Sequence, residues 1–334
     1  MGAAQLRTEI VGDSVALAWD QWSQLGVSAG SPPHREERAA DPEALLLFTL
    51  NVGRNDPRLF DEVLDWLALN EHLVSVHRLR NMCVDATDAA LVGAALDWSA
   101  RSRGRGRSPG DAVSTTDLEP LFHSVPTPTE NLDESFARHG FARARMNRSG
   151  KSQPPRLGDP ISFALRLRRL LGVGVRAEVI RALLTIRATR LSGKVITASA
   201  AFAQRNVREG LTQLLEAGVI NVVDIADDRY YSIRHSDWAT LLALADAPAL
   251  PFHYDWIPAY RTLTRVIRWL QQPGLDELSE YLRASQARTL VDELATDLGY
   301  AGVPIGPYMA LGLDFWDEFT EIVRALVRQA QGAQ

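Results

Sequence analysis

Apolar residues recur at helical spacing over most of the chain. Val15, Leu17, Trp19, Trp22 and Leu25 predict a first helix from Asp13 to Gly26, where glycine ends it. Asp41-Pro42-Glu43 and Asp56-Pro57-Arg58 are two matching helix starts, in which an Asp carboxylate accepts the first orphan N–H groups and Pro supplies the first helical φ. Behind the second start, Leu59, Phe60, Val63, Leu64, Trp66 and Leu67 form one apolar face, and the pattern resumes from His77 to Val84 and from Ala89 to Trp98. An all-helical N-terminal unit over 10–98 follows. After Trp256, helices are expected over 259–271, 276–298 and 311–331, giving a helical C-terminal unit over 255–331.

Between these units the pattern changes twice. Residues 99–158 carry Arg101, Arg103, Arg105 and Arg107 alternating with Ser and Gly, then scattered prolines, and read as a linker with one short helix over 130–138. Asp159-Pro160 is a third helix start, opening the amphipathic run ISFALRLRRLL. From there to residue 248 the expected order is helix (176–188), short helix (195–200), turn, longer helix (204–217, stopped by Gly218), two strands (219–225 and 229–234), and a helix from Ser236 to about Ala247. The strands are β-branched and Tyr-rich and flank Ala226-Asp227-Asp228, which predicts an antiparallel hairpin. The fold class is therefore mainly α, with one small β element in the central unit, 159–248.

Composition first argues against a polyanion partner, then for one. The 334 residues carry a net charge of -5. From Phe141 to Ala217, however, fifteen basic residues face four acids, a local balance of +11 that leaves -16 on the rest. Such a concentrated field attracts phosphate, because each neutralised phosphate releases condensed counterions; the competing use of these arginines is pairing with acidic flanking helices. Cys83 is the single cysteine, so neither an internal disulfide nor a Cys-built zinc site is expected, and a cytoplasmic location without membrane insertion fits the absence of long apolar runs.

Within the basic segment, VITASAAFAQRNVREGLTQLLEAGVI resembles the helix-turn-helix of bacterial winged-helix transcriptional regulators, over about 175–244. Ile196, Val207, Leu211, Leu214 and Val219 fall where that family packs its core, and Gly218 falls where the recognition helix gives way to the first wing strand. The resemblance implies a winged-helix domain that binds double-stranded DNA without a cofactor, as a homodimer and transcriptional repressor. It places Gln204, Arg205, Asn206, Arg208 and Glu209 towards base edges or flanking phosphates, Lys194, Arg187 and Arg190 on backbone phosphate, and Arg229 of the wing in the minor groove. An antitoxin-type autorepressor of a toxin operon and a winged-helix protein-interaction scaffold are the alternatives.

Enzyme signals are weaker. GVGVRA at 172–177 matches a dinucleotide fingerprint but follows a basic helix instead of a strand, and no acid stands about twenty residues on. His72 and His77 are five apart, off the i, i+4 face of a helical metal site. No catalytic residue or metal ligand is assigned.

Overall fold

The computed structural model describes residues 1–28, 37–105, 118–128, 130–242, 250–306 and 312–332. The protein is mostly α-helical, with two small open sheets. The first helix, α1 (Ala3–Gln24), begins ten residues before the expected start, because Leu6 and Ile10 extend the buried stripe that continues through Leu17 and Trp22. Helices α2 (Pro42–Val52) and α3 (Pro57–Asn70) start at the first two Asp-Pro signals: the Asp41 carboxylate accepts from Ala44 N–H at 3.1 Å, and Asp56 from Arg58 and Leu59 at 3.0 and 3.1 Å. Next come α4 (Val76–Met82), capped by Ser75, and α5 (Ala86–Ser102), capped by Asp85.

The stretch read as linker is partly structured. A two-residue strand, β1 (Glu119–Pro120), pairs in parallel with β2 (Phe141–Ala142), and α6 (Glu134–Ala137) lies between them. Leu121, Phe136 and Phe141 from this stretch are buried in the main core. Arg101 pairs with Asp133 at 2.6 Å, and Arg103 pairs with Glu71, so these two arginines hold the stretch to the helices; Arg107 lies outside the described residues. The third Asp-Pro signal opens a 3-10 turn at Pro160–Ser162 without a side-chain cap, and α7 (Phe163–Leu171) follows.

Two apolar clusters organise the chain. The larger one joins α1 to α5 with three helices from the far end of the sequence: α12 (Trp256–Leu270), α13 (Glu280–Tyr300) and α14 (Phe315–Gln331). Indole and phenol groups satisfy their polar atoms as they cross it. Trp22 donates to Thr49 Oγ1 at 2.8 Å, Trp66 to the Leu25 carbonyl at 2.7 Å, Trp256 to the Ala39 carbonyl at 2.8 Å, and Tyr260 to Gln21 Oε1 at 2.8 Å. The smaller cluster is built almost wholly from residues 163–242, with Ala39 added from outside. None of the described helices is long and apolar enough to cross a membrane.

Candidate nucleic-acid interface

Residues 175–242 fold around the smaller core. Helix α8 (Val175–Thr185) is followed by β3 (Leu191–Ser192), α9 (Gly193–Ala200), α10 (Gln204–Glu216), β4 (Asn221–Ile225), β5 (Asp228–Ser232) and α11 (His235–Leu241). The expected end of α11 near Ala247 lies outside the described residues. Strands β4 and β5 form the antiparallel hairpin, and β3 adds to it in the order β3-β5-β4. Ser192 caps α9 by accepting from Val195 N–H at 3.3 Å. Ala201 turns the chain in the left-handed region, at φ 52°, and α10 restarts three residues on. Gly210 lets α10 approach α8 closely: a Cβ there would stand 3.1 Å from Val175 Cγ1. Gly218, at φ +69°, ends α10. Ile196, Val207, Leu211 and Leu214 are buried between these helices, and Val219 packs against them half-buried.

The first turns of α10 present Gln204, Arg205, Arg208 and Glu209 to solvent; Asn206 is half-buried. Glu209 accepts from Gln213 at 3.4 Å, and neither Arg205 nor Arg208 has an ion-pair partner among the described residues. Ala203 at the start of α10 offers no side-chain cap, which leaves the first N–H groups of that helix to solvent or to an anion. Arg190 is exposed just before β3, and Lys194 is exposed in the first turn of α9. Two further expected contacts are exposed and touch other side chains. Arg187 Cζ stands over Phe252, 3.7 Å from the ring centroid, and Arg229 pairs with Asp224 across the hairpin at 3.4 Å. With Asp227 and Asp228 at its tip, the hairpin is an acidic element.

The basic segment divides into a spent part and a free part. Arg143 pairs with Asp61 at 2.8 Å, Arg148 with Asp65 at 3.1 Å, Arg168 with Glu43 and Glu178 at 2.6 and 2.7 Å, and Arg181 with Glu178 at 2.8 Å. Ten other cations of the segment are exposed with no ion pair among the described residues: Arg145, Lys151, Arg156, Arg169, Arg176, Arg187, Arg190, Lys194, Arg205 and Arg208. Both uses of the arginines therefore coexist. The pairing removes four charges from the field without emptying it.

The paired part contains a cluster that charge counting missed. Arg78, Arg168 and Arg181 interleave with Asp41, Glu43 and Glu178, and all six are buried. Arg78 pairs with Asp41 and, at 2.7 Å, with Glu43. Its Nε also donates to the carbonyl of Ala200 at 2.7 Å, and Arg181 Nη2 donates to the carbonyl of Ser199 at 2.9 Å. The cluster thus joins α2 and α4 to the last turn of α9. Burial alone would raise the pKa of both Asp41 and Glu178, but the surrounding guanidiniums outweigh it, Arg78 for Asp41 and Arg168 first for Glu178, and both carboxyls are held below the usual range. Arg168 could be found in the sequence by its position: it occupies the face of α7 that also carries Ala164 and Leu165, where no solvent reaches it.

Helix α7, not a strand, leads into the Gly172-to-Gly174 joint, so the dinucleotide pattern lacks its structural context. Burial, with Asp88 and Asp85 nearby, pushes the Cys83 thiol up to about 11, far from an activated nucleophile. No family model, curated protein or solved structure matches this chain.

Proposed function

We propose that residues 175–242 form a winged-helix module that binds double-stranded DNA through α10. The observation that carries this reading is the solvent-facing first two turns of α10, where Gln204, Arg205 and Arg208 stand unburied on a helix packed against α8 and α9, beside further unpaired cations. Arg suits guanine and Gln or Asn suits adenine by bidentate contact in the major groove, while Arg190 and Lys194 suit backbone phosphate. Arg229, exposed beside Asp224, suits the minor groove once it leaves that surface pair. A homodimer reading paired half-sites and acting as a repressor is the functional form proposed.

Fluorescence anisotropy with a duplex from the region upstream of the coding sequence tests this. Binding should weaken steeply with salt, by about 0.9 in log K per log salt for each phosphate contact. The double variant Arg205→Ala, Asn206→Ala should bind at least about tenfold more weakly. Salt-independent binding, or an unaffected double variant, overturns the reading.

A protein-binding role has one observation of its own. Val222, Val223 and Ile225 are exposed on β4, an edge strand beside Asp224, Asp227 and Asp228, and such an acidic apolar edge suits a protein strand better than phosphate.

A further inference from the structure

A cleft of about 980 Å³ opens where the helix-turn-helix meets the helical body. One wall is α9 and the turn after it, with Lys194, Val195, Ala198 and Phe202; the other is the segment entering α12 together with the end of α13. The volume is at the upper end of the range for small-molecule sites, and the walls mix apolar and aromatic groups with charged ones, among them Asp41, Arg181, Lys194, Asp255, Arg261 and Asp297. Phe202, Tyr254 and Tyr300 supply ring surface from both sides, and Trp256, itself buried, backs Tyr254. Tyr254 and Trp256 pack edge to face with centroids 4.6 Å apart, which fixes that wall.

The charges in the cleft narrow the ligand. Asp41 is bound to Arg78 and Arg181 to Glu178. Arg261 is held by both oxygens of Asp297, at 2.5 and 2.6 Å. Asp255 accepts from His253 Nε2 at 2.8 Å. Lys194 has no ion-pair partner among the described residues. The other ring nitrogen of His253, Nδ1, is buried with no hydrogen-bond partner among the described residues, so this wall has a polar atom still unsatisfied. An ammonium lining a cleft that also carries aromatic rings, without a carboxylate of its own among the described residues, calls for an anion attached to a flat apolar body.

The geometry points to a binding site for a small aromatic carboxylate, its ring between Phe202 and Tyr254 and its carboxylate on Lys194. The site does not depend on the DNA reading, since it is defined on the free protein. It does share Lys194 with that reading, and a bound anion occupies the ammonium otherwise offered to phosphate.

Saturation-transfer NMR and calorimetry on the full chain without DNA, with 1-naphthoate as probe and 1-naphthamide and 1-naphthylmethylamine as neutral and cationic counterparts, test the proposal. Naphthoate should bind most tightly of the three. Lys194→Met should weaken naphthoate about tenfold and leave the amide unchanged. Ala198→Trp, a substitution on the exposed face of α9 that fills the cleft, should abolish binding of all three, with helical content and unfolding midpoint confirming that both variants fold. No binding up to about 10 mM, equal naphthoate affinity in Lys194→Met, or preference for the amine overturns it. Because no DNA is present, these outcomes are independent of whether DNA binding is found.

Discussion

Replacing Arg168 by Met tests whether the buried ionic cluster is a structural joint. Arg168 makes five hydrogen bonds: two to Glu43, both at 2.6 Å, two to Glu178 Oε1 at 3.0 and 2.7 Å, and one to the Leu73 carbonyl at 2.8 Å. Its removal takes the cluster from balanced to one uncompensated negative charge, in a place where all partners are buried. Breaking one partner out of a buried ion pair costs about 3–5 kcal/mol, most of it the desolvation of the charge left behind. Met keeps the length of the stem, so cavity formation adds little. Chemical denaturation followed by tryptophan fluorescence at neutral pH should show a loss of that size. Adding Glu178→Gln restores charge balance and should return about 1–3 kcal/mol of it through coupling. The sign with pH follows from the lowered carboxyls. The folded state holds Asp41 and Glu178 ionised below their ordinary values of about 4, so their stabilisation is complete above that pH and is lost as pH falls through the lowered values. Wild type should therefore lose stability in acid more steeply than the double variant. A loss below about 1 kcal/mol for Arg168→Met, or a full additive penalty when Glu178→Gln is added, would refute the idea that uncompensated charge dominates.

Three further outcomes are expected. Asp227→Asn with Asp228→Asn removes like-charge repulsion at the hairpin tip and should tighten DNA binding roughly two- to fivefold at low salt, with the gain fading as salt screens it; unchanged affinity at all salts would place the hairpin away from phosphate. Cys83, with its thiol near 11, is only about one part in a thousand thiolate at pH 8, so iodoacetamide should label it far more slowly than free cysteine in native protein and at the ordinary rate after denaturation. Gly26→Ala should destabilise by about 1–3 kcal/mol, because Gly26 sits at φ +101° and a Cβ there would collide with the Gln153 carbonyl; an unfolding midpoint equal to wild type would contradict this.

Local signals in the sequence were legible because they act locally. Helix α10 runs from Gln204 to Glu216, within one residue of the expected bounds, since its apolar period and the Gly218 stop are both contained in the segment. The helix starts at Asp41 and Asp56 were readable for the same reason. The two-residue strands β1 and β2 were not, being too short to show alternation. Nor does any local pattern announce that α12 to α14 share a core with α1 to α5. Counting charge along the chain treats Arg168 as surface field, whereas its partner Glu43 lies 125 residues upstream; Arg181 pairs inside the segment, with Glu178. The cleft was invisible because its walls come from separated segments around 41, 81–84, 194–203, 253–261 and 296–300.

The packing of α1 against α14 has a consequence for how the protein is made. Arg324 reaches Glu9 across 315 positions of chain, and the main core closes only when both ends meet. The smaller core, by contrast, is drawn almost entirely from one contiguous stretch, and its buried partners Asp41, Glu43 and Arg78 have all left the ribosome earlier. At synthesis rates of about 5–20 residues per second, the central stretch can assemble while Leu6, Ile10 and Trp22 still wait for α14 with their apolar faces uncovered. Helix α1 is thus the part of the nascent chain most in need of chaperoning, and a ribosome-bound chain stopped far enough past Leu242 for the central stretch to clear the exit tunnel, but before α14, should show a protease-resistant centre and a protease-sensitive α1.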